Sequence, residues 1–161
     1  MSQRRTLLGF AAVAGCIFAA ATTHAQQVDH YSPQSLTEQA KPLQEKATAT
    51  HGSASETLQK YGVDYTMLAF RNQDGNPEMH AHFADIFVVV DGSATLLSNG
   101  ELDHPRELSP GESTGAALLH PTETHLAKGD VVHIPPGTPH QLLIPKGSTF
   151  TYFVIKIKEK E

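Results

Sequence analysis

The sequence predicts an all-β protein, an antiparallel sheet that closes on itself or folds into a sandwich. Two observations predict it. From residue 63 onward, short runs rich in Val, Ile, Phe, Tyr and Thr recur along the chain, the composition of strands. Between them stand turn formers, Asp74-Gly75, Asp91-Gly92, Gly129-Asp130 and Pro135-Pro136-Gly137. Many short strands joined by Pro/Gly turns suit a barrel or sandwich better than an open sheet with crossover helices.

The elements follow in order. Residues 26–61 are polar and read as a helical and linker extension. Ser32-Pro33 caps a helix and places Pro in its first turn, and Leu36, Ala40, Leu43 and Ala47 then share one face. Residues 48–55 read as a break, and residues 56–59 as a short helix before Gly62. Residues 62–161 carry the strands: 63–70, an alternating run over 78–83, and a nearly continuous apolar run over 85–90. Asp91-Gly92-Ser93 reads as a hairpin turn into 94–97. Residues 98–128 read mostly as a long connection. Strands over 131–134, 140–144 and 149–157 complete the set.

The first 25 residues differ from the rest. Arg4 and Arg5 precede an Ala/Gly-rich apolar run, and Thr23-His24-Ala25 offers small residues for a cut after Ala25. This reads as a secretory signal peptide, which predicts a periplasmic or secreted protein with no membrane attachment once the leader is cut. Arg4-Arg5-Thr6-Leu7-Leu8 resembles a twin-arginine export signal. Val13-Ala14-Gly15-Cys16 resembles a lipobox, but apolar residues continue past Cys16. Cys16 is the only cysteine among the 161 residues, so the mature chain has no disulfide and no Cys-ligated zinc. Losing Arg4 and Arg5 takes the formal charge from −5 to −7. With no basic patch, no nucleic-acid partner is expected.

The chemistry concentrates in two places. In Glu78-Met79-His80-Ala81-His82, strand alternation puts Glu78, His80 and His82 on one face, where two imidazoles can chelate one ion. In Pro135-Pro136-Gly137-Thr138-Pro139, a rigid turn delivers His140 at a strand start. His104, His120, His125 and His133 read as solvated loop or rim residues. Phe83, Phe87, Tyr152 and Phe153 read as barrel packing.

On these residues the chain resembles the cupin superfamily. The first cupin motif reads Gly75-x4-His80-x-His82-x2-Asp85-x6-Gly92, and the second Gly129-x5-Pro135-x-Gly137-x2-His140. The first departs from the family pattern: its acid is Asp where Glu is usual, and it follows His82 more closely. The resemblance covers residues 63–157. It implies a double-stranded β-helix (jelly-roll) barrel with a short N-terminal helical extension, and His80, His82, Asp85 and His140 as ligands of one divalent ion. Glu78 is the alternative to Asp85 as ligand, or else a catalytic base or a group that orients an imidazole.

Three imidazoles and a carboxylate suit Mn, Fe, Ni, Cu or Zn better than Mg or Ca. Folding before export would let the cytoplasm load Mn or Fe, which favours those ions. Two functions are open. One is a metal-dependent enzyme acting on a small oxygenated molecule, a dioxygenase, isomerase or lyase. The other is a non-catalytic module that binds a small ligand or a metal. Barrels of this family pair, so a homodimer is the assembly that the resemblance implies.

Overall fold

The computed structural model describes residues 28–159, so the expected leader at residues 1–25 lies outside the described residues. The chain divides into two compact units, Met1–His30 and Tyr31–Glu161, and the second carries the architecture that follows.

Helix α1 (Pro33–Ala49) begins as its sequence predicts. The Ser32 hydroxyl accepts a hydrogen bond from the Ser35 amide, and Pro33 fills the first helical position, where its missing N–H costs nothing. Leu36, Ala40, Leu43 and Ala47 are the buried face. Twelve strands follow: β1 (Ser53–Tyr61), β2 (Asp64–Arg71), β3 (Glu78–His80), β4 (Phe83–Ser98), β5 (Glu101–Asp103), β6 (Arg106–Ser109), β7 (Glu112–Thr114), β8 (Ala117–Leu119), β9 (Thr122–Ala127), β10 (Val131–Ile134), β11 (His140–Leu143) and β12 (Phe150–Lys158). All pair antiparallel. The order β1-β2-β12-β4-β11-β3-β7-β6, with β9 and β10 also joined to β4, makes one ten-stranded sheet; β5 and β8 form a small separate pair. Among the described residues no helix is long and apolar enough to cross a membrane.

The curled sheet has a filled interior and a covered back. Phe87, Leu96, Leu126, Ile134, Leu142 and Phe150, from five strands, meet in the interior core. On the back, Leu68, Phe70 and Val90 meet the apolar face of α1. Alternation on β2 explains this division, because Leu68 and Phe70 point to the helix while Tyr65, Met67, Ala69 and Arg71 point inward.

Three expectations change. Residues 56–59 are strand, not helix: Ala54 and Leu58 face the α1 cluster, and pairing with β2 fixes β1 as extended. Asp91-Gly92-Ser93 is not a hairpin turn. β4 runs through it, pairing with β12 before Gly92 and with β9 and β11 after it. Gly92 has φ 80°, and a Cβ there would fall on the Thr149 carbonyl oxygen, so only glycine lets β4 turn this corner. Residues 98–128 are not a bare connection but hold β5 to β9.

Register then positions the site. On the neighbouring strands β2, β12 and β4, Tyr65 stands opposite Lys156, and Lys156 opposite Asp85. The next inward rung is Met67, Val154 and Phe87, and the one after is Ala69, Tyr152 and Val89. An ionic rung therefore borders an apolar wall.

Candidate metal centre

The site is built from cross-strand pairs. β3 lies between β11 and β7, so Glu78 stands opposite His140 on one side and His80 opposite Glu112 on the other. The 135–139 turn delivers His140 to the head of β11, and the Gly137 amide ties that turn to β3 by donating to the His80 carbonyl (2.8 Å). His140 is almost fully buried.

Each imidazole is oriented by the nitrogen that faces away from the centre. His140 Nδ1 lies 3.0 Å from the Thr138 carbonyl oxygen, an acceptor only, so Nδ1 donates. His80 Nδ1 lies 2.5 Å from Glu112 Oε2 and donates likewise. Neutral rings held this way present the Nε2 lone pair inward. Both Nε2 atoms are buried without a hydrogen-bond partner, a costly state unless something else binds there. One ligand atom from each of Glu78, His80 and His140 lies within 4.8 Å of the others, so the three can hold a metal ion. The donor set therefore fits an ion: two free imidazole nitrogens, each backed by an acceptor, and a carboxylate.

The structure places the remaining predicted residues differently from one another. Asp85 stands beside the group, with Oδ2 3.5 Å from His80 Nε2 and 3.8 Å from His140 Nε2. It also faces Lys156, whose ammonium lies 2.6 Å from Oδ1 and 2.7 Å from Oδ2. His82 is outside the group. β3 ends at His80 and a bend follows, so alternation stops before His82, whose ring lies against Gly111; a Cβ on that glycine would stand 2.6 Å from His82 Cδ2. His104, His120, His125 and His133 are all exposed.

Charge reinforces the pairing. Burial opposes ionisation of Glu78, but the close approach of His140 (Nε2 3.5 Å from Oε1) and the charges of His140, His80 and Lys156 outweigh it and hold the carboxyl at about 2. Burial pulls His140 down, yet the adjacent Glu78 carboxylate, the Thr138 carbonyl and Asp85 raise it overall. Burial, with Asp85 and Glu112 adding to it, raises Tyr65 and keeps it a phenol. Glu78, His80 and Asp85 open on a cavity of about 560 Å³, within the usual range for small-molecule sites.

Sequence reasoning missed Lys156, Glu112 and Arg71. The first had a signal: Tyr152, Val154 and Lys156 alternate on one strand face, so a lysine was aimed into the core. Glu112 had none, because its strand is three residues long in a segment read as connection.

No family model matches the sequence, and no curated protein matches it. Solved structures do. A conserved protein with a double-stranded β-helix domain from Klebsiella pneumoniae aligns with TM-score 0.56 at 14% identity, over 82% of this chain and 91% of that one. The DMSP lyase DddQ from Ruegeria pomeroyi aligns with TM-score 0.50 at 17% identity, over 71% of this chain, which spans only 51% of the lyase. A cupin-2 domain from Rhodospirillum rubrum aligns with TM-score 0.49 at 12% identity, over 68% and 62% of the two chains. The chain has the double-stranded β-helix fold.

Proposed function

We propose that this protein is an exported, metal-dependent cupin enzyme acting on a small oxygenated molecule, and that His80, His140 and Glu78 hold the ion, with Asp85 as the fourth group. One observation carries the reading: two buried imidazole nitrogens without hydrogen-bond partners converge with a carboxylate at the wall of a small-molecule cavity. Glu78 thus takes the part expected of His82. Two imidazoles and a carboxylate form a donor set suited to Fe or Mn, the ions favoured from the sequence. A bound ion would polarise a substrate oxygen or activate dioxygen, which accommodates a lyase, an isomerase or a dioxygenase.

The chain's own residues supply the rest. Glu112 and the Thr138 carbonyl fix the two imidazoles. Lys156 and the Tyr65 phenol, on one rung with Asp85, can give a proton to a substrate oxygen in the cavity. Met67, Phe87 and Val154 keep the wall beside them dry. The relatives include a lyase by name, in accord with an enzymatic role for this fold. A second reading, a non-catalytic ligand- or metal-binding module, draws on the grip of Lys156 on Asp85, which leaves no free base on that rung.

The test is elemental analysis of protein purified from its native host, with H80A, H140A, E78Q and H82A beside it. Stoichiometric Fe or Mn is expected, retained by H82A and lost from the other three. Stoichiometric Cu or Zn overturns the choice of metal, and metal loss in H82A alone overturns the ligand set. N-terminal sequencing of the same protein tests export through a cut after Ala25. A substrate screen with the native metal separates enzyme from binding module.

A further inference from the structure

We propose that the cavity takes a small carboxylate, with the Arg71 guanidinium as its anion clamp at the end remote from the Lys156–Asp85 rung. This rests on the functional reading above, since it names the substrate class of the same cavity.

Arg71 ends the inward row Tyr65, Met67, Ala69 and Arg71 on β2 and lines the cavity. A guanidinium beside apolar walls needs compensation for lost hydration. The protein provides little. Arg71 Nε donates to the Tyr152 hydroxyl (3.1 Å), a neutral acceptor. The Glu78 charge acts on Arg71 through space, but among the described residues no carboxylate lies within ion-pair distance of it and no acceptor is hydrogen-bonded to its terminal nitrogens.

The side chain is nevertheless held. Tyr152 fixes the Nε edge. Gly75 lies against the fork, where a Cβ would stand 3.0 Å from Nη1 and 3.2 Å from Cζ. The terminal edge is thus positioned and chemically unsatisfied, which is the arrangement that receives a carboxylate through two parallel hydrogen bonds. Two hydroxyl side chains share that end: Ser53 stands opposite Arg71 and Ser55 opposite Ala69, and both line the cavity. A neutral ligand would leave the guanidinium unpaired. A monocarboxylate matches it, and an oxygen elsewhere on the same molecule would reach towards Glu78 and His80.

The test is calorimetric titration of the full chain, metal-loaded and metal-free, with 2-hydroxy- and 2-oxocarboxylates of three to six carbons and with their primary amides. At least one acid is expected to bind roughly 10-fold or more tighter than its amide, the effect of one charge-assisted hydrogen-bond pair. R71Q should lose that preference while keeping its metal, and R71K, which keeps the charge without the fork, should fall between. Equal binding of acid and amide, binding of no acid, or an R71Q that still prefers the acid overturns the proposal. The acid–amide comparison needs no variant, so it decides even if R71Q does not fold. Acid binding by a protein that holds no metal would sink the metal-enzyme reading alone; metal without acid binding would sink the carboxylate alone.

Discussion

Lys156 and Asp85 face one another across β12 and β4, and the ammonium lies within 2.7 Å of both carboxylate oxygens. The pair is buried, and Asp85 Oδ2 also lies 3.5 Å from His80 Nε2 and 3.8 Å from His140 Nε2. Lysine and metal therefore compete for one acid. Replacing Lys156 by Met leaves a buried carboxylate unpaired, which costs about 3–5 kcal/mol. Urea unfolding of K156M should show that loss in metal-free protein and a much smaller one after metal loading, because the ion then takes over Asp85. Equal losses in both forms would show that Asp85 serves the lysine alone.

Glu112 acts on the ion through His80. Glu112→Ala removes the acceptor that fixes Nδ1 and should weaken metal binding by roughly 10–100-fold. Glu112→Gln keeps an acceptor oxygen and should lose much less. Competition with a fluorescent chelator measures both, and indistinguishable affinities for wild type and E112A would remove Glu112 from the site.

The metal-free protein should be most stable at mildly acid pH. Glu78 falls from 4.5 to about 2 on folding, so its contribution is present above pH 4.5 and fades as pH falls towards 2. His140 is raised above 6.5, so its contribution is full below 6.5 and fades as pH rises through the raised value. The two overlap between 4.5 and 6.5. Metal needs neutral imidazole, so loading should move the Tm maximum to higher pH. A metal-free Tm that is flat across this window, or a maximum that stays put on loading, contradicts the pairing of Glu78 with His140.

Two glycines with positive φ should respond differently to a methyl group. Gly92 (φ 80°) meets the Thr149 carbonyl, whereas Gly129 (φ 95°) has open space around it. G129A should cost about 1–2 kcal/mol of backbone strain, while G92A should cost more than ~3 kcal/mol or fail to fold. Thermal melts of the two variants decide it, and a mild effect of G92A would mean that β4 does not need its corner.

What could be read from the sequence was what local chemistry decides. The α1 face follows from 3.6-residue spacing, and His140 from a Pro-Gly turn that leaves the chain few options. The role of Asp91-Gly92 was illegible because Asp-Gly is a turn signal locally, while the conformation adopted is set by a carbonyl far along the chain. β1 was illegible for a related reason: Ser53, Ser55, Glu56 and Gln59 have little strand character of their own, and pairing with β2 imposes it. The site divides the same way. His80 and Glu78 share a face because strand alternation holds that far. It stops at a bend the sequence does not announce, and His82 leaves with it. Lys156 and Arg71 acquire meaning only when register sets an acid, or a cavity, before them.

The groups that could grip an ion and those that could choose a ligand come from different strands. Glu78, His80 and His140 belong to β3 and β11; Tyr65, Arg71 and Lys156 belong to β2 and β12. Changes on one pair of strands need not disturb the other, so their effects should combine additively when the sites share no partner. Evolution, or a laboratory library confined to residues 64–71 and 150–158 with Lys156 kept for its grip on Asp85, could then retarget the pocket while leaving the ion holder intact. Tyr65, Met67, Ala69, Arg71, Tyr152 and Val154 are the positions at which to randomise first.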